Sequence, residues 1–254
     1  MAKKQLFDPT STAPFEISRS KLSLYIMDCP CCFYMDRRLG ISRPPTLPFT
    51  LNSAIDTLLK REFDIYRVNQ QPHPLMIQQA GIDAVPFQHP DLDIWRSNFK
   101  GIRALHRESN VILSGALDDV WVKKNGELIV ADYKATSTTE PISLDSGYKD
   151  VFKRQLEIYQ WILRQNGFTV DQMACLVYAN ARKDKPDFAG KLEFDLKVLC
   201  HSGDTSWIEN ALMDVRACLS ADKPPLPKKT VNKRGEEEYC CKYCEYYEAR
   251  KAVL

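Results

Sequence analysis

The segment from Val111 to Thr136 constrains the fold of this chain more than any other part of the sequence. Two apolar runs rich in β-branched residues flank the turn sequence KKNG at Lys123 to Gly126, and Asn-Gly between such runs is a strong signal for a β-hairpin. The second run, Leu128 to Val130, is apolar at successive positions, which is typical of a strand buried on both faces. We therefore predict a hairpin whose second strand lies inside a sheet.

The buried strand ends in a charged pair. Asp132 and Lys134 are two residues apart, and because side chains alternate along a strand, both point to the same side of the sheet. A carboxylate beside an ammonium suits phosphodiester hydrolysis, since the carboxylate can hold Mg²⁺ while the lysine orients the attacking water and stabilises charge on the phosphate. An ordinary surface salt bridge explains the same short motif equally well.

Three motifs in one block of the chain carry a resemblance to a known family. They are GxxD, DYK and QxxxY, at Gly115 to Asp118, Asp132 to Lys134 and Gln155 to Tyr159. In this order they resemble the PD-(D/E)XK nuclease superfamily, and within it the RecB-like branch. The resemblance implies an α/β fold, with a restriction-endonuclease-like central mixed sheet flanked by helices. It also implies that Asp118 and Asp132 are metal ligands, Lys134 is the catalytic lysine, and Gln155 and Tyr159 support the site or contact DNA.

The sequence departs from the family pattern in an earlier helix. Leu51 to Tyr66 has apolar residues at helical spacing. RecB-like nucleases carry a metal-binding histidine here, four residues after a glycine, but Asn52 and Asp56 occupy the matching positions. Asp56 is a suitable ligand for a hard cation and can replace the histidine as a third metal ligand. The alternative is a solvated aspartate on the polar face of the helix.

The register of the hairpin decides between Asp118 and Asp119 as the ligand. A strict two-residue turn at Asn125-Gly126 places Asp119 opposite Asp132. A three-residue loop or a bulge shifts the pairing by one residue and brings Asp118 to that position. Because Asp118 fits the GxxD motif, we predict irregular pairing in this hairpin.

Nine cysteines suggest metal ligands or small buried residues rather than disulfides, since MAKKQLFDPTST lacks the apolar stretch of a signal peptide and we expect a cytoplasmic protein. Cys29 with Cys32 and Cys241 with Cys244 form two CxxC pairs, the spacing by which four thiolates close around a metal. Cys31 and Cys240 are alternative ligands. We expect the single cysteines to be core residues: Cys175, Cys200 and Cys218.

Cysteines on either side of a nuclease core also resemble AddB-type and CRISPR-adaptation iron-sulfur nucleases. The resemblance favours a 4Fe-4S cluster, with Zn²⁺ as the alternative. In those proteins one cysteine precedes the core and three follow it, whereas Arg250 stands here where a last cysteine is expected. The choice of two ligands from each end is therefore an inference from spacing.

The remaining sequence predicts a lead-in, a core and a tether. Residues 1–14 are expected to be disordered, residues 15–221 to form the nuclease-like core, and residues 222–254 to be a proline-rich, charged tether ending in the cysteine segment. Residues 67–110 show no clear periodicity of apolar residues and are expected to form loops and short elements. Further elements are expected at Tyr148 to Gln165 (helix), Met173 to Ala179 and Lys191 to Leu196 (strands), and Asp204 to Leu219 (helix).

A formal net charge of +2 permits nucleic-acid binding through a local patch without requiring it. Three basic pairs are candidates for a phosphate track: Lys60-Arg61, Lys153-Arg154 and Arg182-Lys183. No apolar run is long enough to span a bilayer. We expect a DNA nuclease dependent on Mg²⁺ or Mn²⁺, of exonuclease type, in DNA repair or processing, with a helicase or another repair-complex subunit as a partner. The alternatives are a non-catalytic DNA-binding or assembly subunit and a restriction-type endonuclease.

Overall fold

The computed structural model describes residues 5–47, 49–145, 149–232 and 234–253. The chain divides into two compact units. The first unit consists of residues 1–46, 105–114 and 206–254, and the second of residues 47–104 and 115–205. This division differs from the expected core over residues 15–221, because residues 206–221 and 15–46 belong with the C-terminal segment.

The strands and helices have the following bounds. The strands are β1 (Phe15–Ser18), β2 (Ala84–Pro86), β3 (Ile102–His106), β4 (Val111–Gly115), β5 (Asp119–Lys123), β6 (Leu128–Thr136), β7 (Val170–Ala181), β8 (Phe194–Ser202), β9 (Lys229–Val231) and β10 (Glu237–Tyr239). The helices are α1 (Arg19–Ser23), α2 (Pro30–Arg38), α3 (Thr50–Asn69), α4 (Pro74–Ala80), α5 (Leu92–Trp95), α6 (Asp150–Gln165), α7 (Trp207–Ser220) and α8 (Lys242–Val253). A π-helical turn at Leu24–Asp28 follows α1.

The second unit is built around a five-stranded sheet in the order β2-β5-β6-β7-β8. β6 runs parallel to β7, whereas the other neighbouring strands are antiparallel. The first six residues of β6 are buried, and the first four, Leu128 to Ala131, are apolar, as expected of a strand buried on both faces. The predicted central mixed sheet flanked by helices is therefore confirmed.

The two faces of this sheet are covered by different helices. On one face, the Phe63 ring of α3 stacks on Trp121 with 5.9 Å between centroids and lies 5.4 Å from Tyr133. Met76 of α4 packs into the same cluster. On the other face, α6 packs against β6 and β7 through the apolar stripe that the sequence predicts. α6 ends at Gln165, and its expected first residue, Tyr148, lies outside the described part of the chain.

The β5–β6 hairpin closes with a three-residue loop. The Gly126 N–H donates to the Lys123 carbonyl at 2.9 Å, and the Lys123 N–H donates to the Glu127 carbonyl at 2.9 Å. Gly126 has φ +85°, the left-handed conformation that such a loop needs at its third position. The predicted departure from a strict two-residue turn is therefore confirmed.

The first unit joins both ends of the described chain. β1 pairs in parallel with β4, from Phe15 opposite Val111 to Ser18 opposite Ser114. The Tyr34 hydroxyl donates to the Ala221 carbonyl at 2.8 Å, which ties α2 to the end of α7. These contacts explain why residues 206–221 belong to this unit.

Two terminal segments have hydrogen-bonded contacts of their own. Phe7 is 2% exposed, and its N–H donates to the Arg37 carbonyl at 2.8 Å. Phe7 therefore anchors residues 5–14 to α2, and residues 1–4 lie outside the described ranges. Within the predicted tether, β9 and β10 pair as an antiparallel hairpin. This pairing provides backbone hydrogen bonds within the polar segment.

Residues 67–110 contain four short elements, α4, β2, α5 and β3, and β2 is an edge strand of the five-stranded sheet. The strand expected at Lys191 to Leu196 begins later, at Phe194, because Ala189 and Gly190 have positive φ and form a turn. Cys175 is a core residue, as expected, and Cys200 packs against the same cluster, but the two cysteines face each other across β7 and β8 and form a disulfide that was not expected. Cys218, in the first unit, is a half-buried free thiol.

None of the helices in the described ranges is long and apolar enough to cross a membrane.

Replacing Gly126 by alanine tests the turn. Nothing lies within 4 Å of the position that a Cβ would occupy, so the cost comes from the backbone alone. We expect Gly126→Ala to lower the free energy of unfolding by about 1 kcal/mol, since an L residue disfavours positive φ. Urea denaturation measures this change.

Lys124→Ala in the same turn is the control. Lys124 and its partner Asp83 are 83% and 68% exposed, so this ion pair contributes little. We expect a change of less than about 0.5 kcal/mol. Equal losses in the two variants would refute the role of Gly126.

Candidate functional site

The hairpin register brings Asp118 next to Asp132. Pairing runs from Val122 opposite Leu128 to Asp119 opposite Ala131. Extending this register by one residue places Asp118 beside Asp132, and the two carboxylates interact. The Asp118 carboxylate accepts the N–H of Tyr133 at 3.0 Å. The structure thus places Asp118, not Asp119, beside Asp132, and its role as a metal ligand stays a prediction.

Asp119 faces a different environment. Its carboxylate is fully buried and accepts hydrogen bonds from Arg67 and Arg96. The hydroxyl of Tyr133 donates to the same carboxylate at 2.7 Å. Tyr133 thus binds Asp119 through its side chain and Asp118 through its backbone. Because two arginines and the Tyr133 hydroxyl bind its carboxylate, Asp119 stabilises the hairpin.

Asp132 is held directly by two of the residues that the motifs single out, and a third, Tyr159, contacts one of those two. It is fully buried, and its two oxygens accept hydrogen bonds from Gln155 and Lys134. The Tyr159 hydroxyl lies 3.4 Å from the Gln155 amide nitrogen and donates to the Ala116 carbonyl at 2.6 Å. Gln155 therefore orients Asp132, and Tyr159 fixes the backbone two residues before Asp118.

The two carboxylates have opposite pKa shifts. Burial raises the pKa of Asp132 to about 7; Asp118 adds to this effect and Lys134 opposes it. Burial also acts to raise the pKa of Asp118, but Lys60 and Lys134 outweigh it and hold that pKa below its usual value. The neighbouring cations therefore favour the ionised form of Asp118, whereas burial favours the protonated form of Asp132.

Asp56 and Lys60 on α3 complete the site. The Lys60 ammonium lies 2.8 Å from an Asp56 oxygen and 3.0 Å from an Asp118 oxygen. Burial, with Asp118 nearby, raises the pKa of Asp56. Asp56 is thus linked to the charged cluster through Lys60, and its replacement of the family histidine as a metal ligand stays a prediction.

The sequence indicated Lys60 only as part of a phosphate track, whereas the structure places it beside Asp56 and Asp118. The sequence did contain a signal for the Asp56 contact, because residues four apart on a helix lie on the same face. Of the other basic pairs, Arg154 is paired with Glu157 at 3.2 Å and Arg182 with Asp184 at 2.8 Å.

In the first unit, four cysteines converge. Cys29 precedes α2 and accepts the N–H of Cys32, while Cys241 precedes α8 and Cys244 lies in its first turn. Their four Sγ atoms lie within 4.8 Å of one another. This arrangement can bind a metal. Cys31, although half-buried beside it, is outside this group, and so is the exposed Cys240.

The geometry of the second unit agrees with the comparison to family models. The model of the PD-(D/E)XK nuclease superfamily matches residues 55–249, and the chain belongs to this superfamily. Membership implies nuclease-type phosphodiester hydrolysis, and nucleases of this superfamily use divalent metals. No curated protein matches the chain. Six chains among solved structures match it. One, from the crystal structure of SSO0001, aligns with 82% of this chain and 78% of its own length, at 15% identity and a TM-score of 0.33.

Exchanging the adjacent aspartates for asparagine tests their different environments. We expect Asp119→Asn to lower the free energy of unfolding by about 3 kcal/mol, because it leaves Arg67 and Arg96 without their buried anion. Asp118→Asn is the matched control. It should lower the free energy of unfolding by about 1 kcal/mol or less, because Lys60 stays paired with Asp56 and Lys134 with Asp132. Urea denaturation compares the two. Equal destabilisation would contradict this division.

Proposed function

We propose that this protein is a divalent-metal-dependent DNA nuclease. The observation that carries the proposal is the convergence of Asp118, Asp132 and Lys134 at the open end of a buried hairpin, with Gln155 holding the central carboxylate. We further infer an exonuclease-type activity in DNA repair or processing, with a helicase or another subunit of a repair complex as partner.

Asp118 and Asp132 are the residues that would hold Mg²⁺ or Mn²⁺, with Asp56 as a third ligand. All three offer carboxylate oxygens, the donors that hard cations prefer. Their fit to a cation has a direct counterpart in the structure, because the Lys60 ammonium already binds oxygens of Asp56 and Asp118. When bound, the divalent ion would polarise the phosphate and lower the pKa of the attacking water.

Lys134 is the residue assigned to the reaction itself. Its side chain is 19% exposed, and its ammonium is tied to Asp132 and lies 5.2 Å from the centroid of the Phe152 ring. This placement holds a positive charge at the rim of the site, where it can orient water and stabilise charge on the phosphate. Asp132 and Phe152 restrict its motion, so the lysine is positioned before substrate arrives.

Lys60 contributes a second positive charge from helix α3. Burial lowers the pKa of Lys60, but Asp118 and Asp56 outweigh this effect and raise it, so the side chain stays charged. We assign to Lys60 the role of compensating the carboxylates until a cation or a substrate phosphate arrives. Two fixed ammonium groups around paired carboxylates favour a phosphodiester over an uncharged substrate.

Lys134→Ala tests the mechanism. We expect divalent-dependent cleavage of linear double-stranded DNA to fall by about 10²–10³-fold, the usual cost of losing one group that stabilises transition-state charge. The fold should persist, because Asp132 can take up a proton once its ammonium partner is gone. Rates measured with Mg²⁺ or Mn²⁺ report cleavage, and circular dichroism reports the fold.

Lys124→Ala, with the same change in charge at an exposed turn, is the matched control and should retain full activity. Undiminished cleavage by Lys134→Ala would refute the mechanism. Wild-type protein should degrade linear DNA and leave closed circular DNA intact, whereas cutting of circles would favour a restriction-type endonuclease. DNA binding without cleavage under any divalent ion would favour the non-catalytic subunit.

A further inference from the structure

The cysteine cluster is more compact than the expected iron-sulfur site. The Cys29 and Cys244 sulfurs are 3.5 Å apart, and the Cys32 sulfur is 3.5 Å from that of Cys241 and 3.7 Å from that of Cys244. All four sulfurs lie within 4.8 Å of one another. A single tetrahedral ion with metal–sulfur bonds of about 2.3 Å places its thiolates about 3.8 Å apart. The observed spacing therefore fits one ion.

A 4Fe-4S cluster does not fit the same four sulfurs. In such a cluster each cysteine binds a different iron atom, so the thiolates are separated by the body of the cluster as well as by their own bonds to iron. The space between four sulfurs that all lie within 4.8 Å of one another accommodates a single ion but not four irons with their four sulfides. The expectation of an iron-sulfur cluster, drawn from resemblance, conflicts with this geometry.

We propose that Cys29, Cys32, Cys241 and Cys244 form a structural Zn²⁺ site, with Arg43 as its outer-shell partner. Four thiolates complete the tetrahedral coordination of zinc and leave no position for water or substrate, which is the pattern of a structural rather than a catalytic site. Two of the ligands come from the start of α2, and two come from the start of α8. The ion would join these two helices.

Arg43 supplies charge compensation at the cluster. Its guanidinium donates to the Cys241 sulfur at 2.9 Å, pairs with Asp28, and lies 4.6 Å from the centroid of the Tyr243 ring. Zn²⁺ with four thiolates carries a net charge of about −2, and a hydrogen-bonded cation offsets part of it. Asp28 and Tyr243 restrict the orientation of Arg43, so it acts as a positioning residue for Cys241.

The packing of α8 gives the site a structural purpose. Among the residues Lys242–Val253, all of which lie in the described part of the chain, Cys244 alone is buried. Tyr246 and Tyr247 are 70% and 61% exposed. A helix that buries so little apolar surface gains little from packing. The metal bond through Cys244 is therefore its main anchor.

Metal analysis of the full-length protein tests the assignment. The chain is purified anaerobically, zinc and iron are measured by mass spectrometry, and acid-labile sulfide is measured chemically. We expect one zinc per chain and no sulfide. Four irons with four sulfides would overturn the proposal, and so would a single iron without sulfide or a protein free of metal.

Arg43→Ala tests the outer-shell role. Zinc affinity, measured by competition with a chromogenic chelator, should fall about 10- to 100-fold, as is usual when a partner of a metal ligand is lost. Lys242→Ala is the matched control, because Lys242 is next to Cys241 in sequence but is 77% exposed and pairs with Glu245. Its zinc affinity should be unchanged. Unchanged affinity in Arg43→Ala, or equal losses in both variants, would overturn the role of Arg43.

Discussion

The register between β5 and β6 is the constraint on which the site in the second unit depends. Three residues, Lys124 to Gly126, form the turn, and this length places Asp118 opposite Asp132. A shift of one residue would turn every side chain of a strand to the other face. It would bring Asp119 to the site and send Asp118 towards the arginines. The identity of the candidate metal ligand is therefore set by backbone geometry several residues away.

The two adjacent aspartates illustrate how one sequence supplies both rigidity and reactivity. Asp119 is buried and satisfied by two guanidinium groups and the Tyr133 hydroxyl, so it stabilises the hairpin. Asp118 is held by the Tyr133 N–H and Lys60 and remains 20% exposed. Because Tyr133 contacts both carboxylates, the position of Asp118 is coupled to that of Asp119. These hydrogen bonds hold both carboxylates in fixed positions.

Much of the site was predictable from sequence because its signals are local. The hairpin, the DYK motif and the CxxC pairs each lie within a few residues of chain. Their long-range partners were not predictable. Lys60 meets Asp118 only after α3 packs beside the sheet, and Arg43 meets Cys241 across 198 residues of sequence. The Cys175–Cys200 disulfide depends on the register of β7 against β8, and periodicity along one strand does not encode that register.

Anomalous X-ray diffraction from crystals grown with Mn²⁺ tests the central claim, that hairpin register selects the metal ligands, most directly. We expect a manganese peak within bonding distance of carboxylate oxygens of both Asp118 and Asp132, with Asp119 still bound to Arg67 and Arg96. A peak bonded to Asp119, or one bonded to Asp132 without Asp118, would contradict the claim.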